Sequence, residues 1–184
     1  MTGLIEESFH RLLLYAKPGE LLSDQLSSLP EPLEDIGFIG DDCHEADNDY
    51  LPGDRFLNLL TFLGCSPDIA LTPQDGENYC FIRLHKVSPE PRLYQGSNTK
   101  PPHCRFCRQA KKDWQACEQP DYCEQCGLHE RAENLLWRRQ GALSRWVIEV
   151  MNVYPHEAVP SAQLLTLLGT VSGVEWGYAY LHGN

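Results

Sequence analysis

Cys104-Arg105-Phe106-Cys107 and Cys123-Glu124-Gln125-Cys126 make the pattern C-x2-C-x15-C-x2-C, and no other feature narrows the possible folds of this chain so far. Two residues between paired cysteines let a tight knuckle turn both sulfurs toward one ion at about 2.3 Å, so two knuckles complete a tetrahedron. Gly127, just after the second pair, supplies the backbone freedom such a turn needs. The pattern predicts one structural zinc ion on Cys104, Cys107, Cys123 and Cys126. Four thiolates saturate that ion and leave no position for water or substrate, so its role is to stabilise a segment too small to have a core of its own. Cys117, His103 and His129 lie close enough in sequence to compete as ligands.

Over residues 101–130 the chain resembles the zinc-ribbon class of modules. The second knuckle, Tyr122-Cys123-Glu124-Gln125-Cys126-Gly127, fits that class well, whereas in the first Arg108 stands where a glycine is common. A treble-clef-like arrangement, with residues 128–139 as a helix after the second pair, fits the same residues.

The 184 residues suffice for one ordinary core plus a small satellite module. Charge is distributed unevenly: residues 1–80 carry 3 Lys or Arg against 16 Asp or Glu, while residues 81–145 carry 12 against 7. An acidic region and a basic patch with different neighbours are expected. The N-terminal residues show neither a secretory signal nor an anchor pattern, so the expected compartment is a reducing cytoplasm, where closely spaced cysteines bind metal.

Periodicity predicts helices over residues 4–16 and 22–29, hence a helical N-terminal segment over residues 1–30. Residues 31–54 read as an acidic loop with a short strand at 36–39, and residues 56–63 as a compact helix closed by Gly64. Residues 79–87 alternate as a strand with one buried face; residues 146–154 are apolar on both faces, as a central strand would be. A helix over 161–168, followed by Gly169, and a last strand bearing Val174, Trp176, Tyr178 and Tyr180 complete the series. Strand, helix, strand, then strand, helix, strand is the order of an α+β ferredoxin-like split βαβ sandwich. Its core would comprise residues 31–100 and 140–184, and the zinc-binding module with its following helix would be inserted at 101–139.

Other residues carry weaker signals. Arg105, Arg108, Lys111 and Lys112 lie in a basic run with Phe106, a composition that suits single-stranded nucleic acid and equally a solvated face. Asp41, Asp42, Cys43, His44 and Glu45 match no calcium-loop spacing, and a hydrated acidic loop is the simpler account. Cys65 with His85 or His156 as nucleophile and base has no support from spacing, and Trp176, Tyr178 and Tyr180 suit a core stripe better than a ligand floor. The chain has no phosphate-cradling glycine loop, no H-E-x-x-H and no G-x-S-x-G. The expectation is a zinc-binding accessory or adaptor protein that docks onto a protein partner. Nucleic-acid binding through the basic run is the alternative, and an enzyme with a scattered site the third.

Overall fold

The computed structural model describes residues 10–20, 29–43, 47–63, 69–74, 78–111, 114, 121–154 and 156–183. The fold is α+β and rich in strands. Six of these strands form one antiparallel sheet, and their chain-order labels are β1 (His10–Ala16), β2 (Ile39–Asp42), β3 (Asp49–Pro52), β5 (Phe81–Leu84), β10 (Val147–Met151) and β12 (Trp176–His182). Across the sheet they run β12-β1-β10-β5-β3-β2. Between β3 and β5 come helix α2 (Phe56–Leu59) and strand β4 (Leu60–Phe62), which pairs with β11 (Ala158–Pro160). Helix α1 (Pro30–Asp35) precedes β2, and helix α3 (Ala162–Ser172) links β11 to β12.

One face of the sheet carries the main core. Leu12 and Leu14 of β1, Ile82 of β5, and Ile148 and Val150 of β10 pack with Leu33 of α1, Phe56 and Leu59 of α2, and Leu164 and Leu168 of α3. This gives a sheet layered on helices, each element burying its apolar side against the other. Helix α3 is capped by Ser161, whose Oγ accepts the Leu164 N–H, and it ends at Gly173 with φ 78°.

Several sequence expectations change here. Residues 10–16 are a strand rather than the end of a helix, because Leu12 and Leu14 face the main core while Leu13 faces a second cluster behind the sheet. A run buried on both faces has no helical stripe to display, and short apolar runs leave the two periods indistinguishable. Residues 4–9 and 22–28 of the expected N-terminal helices lie outside the described residues, as does Gly64. The short strand expected at 36–39 begins only at Ile39, while the preceding loop contains α1. The helix expected over 56–63 is one turn, since Leu60 turns to extended backbone (φ −113°, ψ 116°) to pair with Pro160. Helix α3 runs through Gly169 and stops at Gly173.

The second face of the sheet is partly polar. Asp49, Arg83 and Glu149 lie side by side in register across β3, β5 and β10. Arg83 donates to both oxygens of Asp49 at 2.8 and 2.7 Å, and His85 lies 2.7 Å from Glu149, whose other oxygen lies 3.1 Å from Arg11. Leu13, Val147, Ala179 and Leu181 continue this face as a small apolar cluster.

Residues between β5 and β10 leave the sheet through a two-stranded ribbon, β6 (Arg92–Tyr94) against β9 (Ala142–Ser144), which packs on that second face. The insertion also closes the outer edge of β12. Tyr180 N–H donates to the Arg139 carbonyl, Asn98 Nδ2 donates to the Tyr180 carbonyl, His182 N–H donates to Asn98 Oδ1, and Ser97 N–H donates to the His182 carbonyl. The Asn98 amide thus acts as one rung of a missing strand. Gly96 permits the approach, because a Cβ there would lie 2.5 Å from the His182 carbonyl oxygen.

Candidate metal centre

Each cysteine pair sits on the tip of a hairpin. The first tip is flanked by the antiparallel bridge His103–Ala110, and the second by β7 (Asp121–Tyr122) paired with β8 (His129–Glu130). Their backbone bonds repeat. Cys104 N–H donates to the Gln109 carbonyl at 2.9 Å, as Cys123 N–H does to Leu128 at 2.9 Å; Arg108 N–H donates back to Cys104 at 2.9 Å, as Gly127 N–H does to Cys123 at 2.8 Å. The first cysteine of each pair is buried, and the second is half-buried.

In each knuckle the fourth residue after the first cysteine must take a left-handed backbone. Gly127 does so at φ 71° and Arg108 at φ 63°. The departure noticed in the sequence therefore leaves the turn intact, but a side chain in that region costs about 1–2 kcal/mol that glycine avoids.

The sulfur atoms of Cys104, Cys107, Cys123 and Cys126 all lie within 4.8 Å of one another. Cys104 Sγ is 3.9 Å from Cys126 Sγ, and Cys107 Sγ is 3.5 Å from Cys123 Sγ. A tetrahedron with 2.3 Å metal–sulfur bonds has sulfur separations of about 3.8 Å, so these spacings fit one ion at their centre. No family model, curated protein or solved structure matches the chain. The assignment therefore rests on this geometry and on the chemistry of four soft donors.

Proton affinities within the cluster point the same way. The Cys123 thiol is drawn down to about 6, chiefly by the Cys126 amide, against burial and with help from Cys107 and the Gln125 amide. On Cys126 the Leu128 amide also pulls down, but burial and the neighbouring sulfurs outweigh it and push the thiol up to about 11. Cys123 ionises readily and Cys126 then resists, as like charges held close must. A central cation would remove that conflict.

Around the knuckles, His103 exchanges backbone hydrogen bonds with Leu136 at 3.0 and 2.8 Å, which adds a third segment to the first hairpin. Trp114 and Trp137 meet edge to face at 5.6 Å, and both are buried, as are Ala132 and Leu135. A following helix over 128–139 does not form. Strand β8 and a 3-10 turn at Ala132–Asn134 occupy that stretch instead, because the chain must return in extended form to pair with His103.

Among the described residues the four cysteines are the group whose ligand atoms converge. His103 and His129 are not part of it, and Cys117 lies outside the described residues. Asp41 and Asp42 are exposed on β2, Cys43 is buried with its sulfur 3.0 Å from the Tyr79 hydroxyl, and His44 and Glu45 are outside the described residues. Cys65 is outside them too; His85 is engaged with Glu149, and the His156 ring lies 4.6 Å from that of Tyr180. Trp176, Tyr178 and Tyr180 join the main core, with the Tyr180 hydroxyl donating to the Ala158 carbonyl. Of the basic run, Arg105 pairs with Glu130, Arg108 is exposed and Lys112 is outside the described residues.

Sequence reasoning missed Glu130. It is a carboxylate only 5% exposed, next to an exposed histidine in a two-residue strand, where alternation is too brief to reveal which face is inward.

Proposed function

We propose that this chain is a zinc-binding accessory or adaptor protein, with one structural zinc ion on Cys104, Cys107, Cys123 and Cys126, and that its insertion docks onto a protein partner. The convergence of four thiols on two matching knuckles carries the zinc reading. With all four positions taken by protein, the ion supplies folding energy rather than a reactive site.

Support for docking comes from the surface of the same module. Phe106 is 49% exposed on the first knuckle and Leu128 46% exposed just after the second, so large apolar side chains flank the ion where solvent gains nothing from them. A protein surface suits them better than a phosphate backbone, and the pairing of Arg105 with Glu130 thins the basic run that nucleic acid would need. Among the described residues no helix is long and apolar enough to cross a membrane.

The sheet supports a finer architecture as well. Strands β12-β1-β10-β5, adjacent and antiparallel, are ordered as a ferredoxin-like split βαβ sandwich requires, with β1 as its first strand and β2 and β3 as additions at one edge.

The reading predicts one zinc per chain by elemental analysis of reduced protein, lost when Cys104 and Cys123 are both serine. It also predicts weak or absent binding to single-stranded RNA and DNA at physiological salt. Tight binding with a steep salt slope, flattened by neutralising Arg105, Arg108, Lys111 and Lys112, would replace the protein partner with a nucleic acid.

A further inference from the structure

Glu130 stands apart from the ligands, yet it reaches into the first knuckle from the hairpin that carries the second. Its Oε2 accepts the backbone N–H of Arg105 at 3.1 Å, and its Oε1 lies 2.8 Å from Arg105 Nε. The guanidinium approach is off the hydrogen-bond axis, so that contact is ionic, and among the described residues Oε1 has no aligned donor. Arg105 itself sits between Cys104 and Cys107, with its guanidinium over the Phe106 ring at 4.8 Å.

A carboxylate this buried is costly unless it is paired and hydrogen-bonded, and neutral residues fill such a position with less penalty. What the charge achieves here is a tie from the hairpin of the second cysteine pair to the backbone of the first knuckle. The first knuckle has reason to need one, because Arg108 takes the left-handed conformation that glycine takes in the second.

We propose that Glu130 is a positioning residue for the metal centre, holding the strained first knuckle in its ligating shape by fixing the Arg105 amide. The proposal rests on the zinc reading above. It assigns the two pairs unequal roles: Cys123 and Cys126 sit on a knuckle that forms unaided, whereas Cys104 and Cys107 depend on a partner hairpin.

The test is zinc affinity measured by competition with a chromophoric chelator, together with the absorption of the cobalt-substituted protein. Glu130→Ala should weaken zinc by about 10–100-fold and alter the cobalt–thiolate bands, with Glu130→Gln between it and the parent. Arg108→Gly, which removes the backbone strain, should recover much of the loss in the Glu130→Ala background while adding little to the parent. Unchanged affinity and cobalt spectrum in both Glu130 variants would overturn the proposal, and so would an equal gain from Arg108→Gly in both backgrounds. If the parent binds one zinc and the Glu130 variants match it, only this proposal falls; if the parent binds neither zinc nor cobalt, the zinc reading falls with it.

Discussion

The six-stranded sheet and the insertion that leaves it solve the same problem by opposite means. The sheet buries leucine, isoleucine, valine and aromatic side chains from three helices and its own strands, and burial of that apolar surface is what stabilises it. Among the described residues of the insertion at 101–139 few apolar groups are buried, chiefly Trp114, Ala132, Leu135 and Trp137, and two of the buried side chains are thiols. The described backbone there is mostly turns and two-residue strands. Such a segment cannot offset its own ordering entropy, and in the proposed reading a zinc ion on the four cysteines would supply what the core lacks. The chain thus contains one region whose order is distributed over many contacts and one whose order converges on a point.

The largest expected effect comes from removing that point. Chelation should abolish amide protection through residues 102–137, as read by hydrogen exchange, while β1, β10 and β5 keep theirs. In the mirror experiment, Leu12→Ala in the fully buried centre of β1 should cost about 2–5 kcal/mol of sheet stability and leave zinc stoichiometry at one. Collapse of both regions on chelation would break the comparison, because the sheet would then depend on the ion as well.

A smaller effect should appear where the regions meet. Asn98→Ala removes both bonds of the side-chain rung on β12 and should cost about 1–2 kcal/mol in urea unfolding, with faster exchange of the His182 amide and unchanged zinc content. If exchange at His182 does not change, the insertion rests beside the edge without closing it.

The smallest effect expected is a pH dependence that belongs to the sheet alone. Burial raises the proton affinity of Glu149, but the hydrogen bond from His85 and the charges of Arg11 and Arg83 outweigh it, and the carboxyl lies below its ordinary value. A depressed carboxylate contributes stability that is complete above the unfolded value of about 4.3 and is lost as pH falls through the lower folded value. Glu149→Gln should therefore flatten the acid limb of sheet stability measured by urea unfolding. An unchanged acid limb would mean that other carboxylates govern it.

Legibility in the sequence followed the range of the interactions. The knuckles were readable because a two-residue gap, a left-handed position and the thiols all lie within six residues. Helix α3 was readable for the same reason, with Ser161 at its start and a glycine at its end, although the sequence offered Gly169 and packing chose Gly173. Strand β10 was evident from apolar residues on both faces, and all five of its residues are buried. Strand β1 was misread by the same kind of pattern, since Leu12, Leu13 and Leu14 suit either a buried strand or a buried helix.

What the sequence determined by itself was the four-cysteine cluster, a strand within residues 79–87, another within 146–154, a last one bearing Trp176, Tyr178 and Tyr180, and the helix between the last two. Each knuckle, strand and helix among these is specified by neighbours a few residues away. The tertiary structure decided the rest. Residues 10–16 became a strand because β10 and β12, both more than 130 residues distant in the chain, offer hydrogen-bonding edges on either side. Asn98 became a surrogate rung and Glu130 a tie between knuckles because folding brought the edge of β12 and the Arg105 amide within reach of them. Backbone groups withdrawn from water must find partners, and which partners they find depends on what the whole chain places beside them.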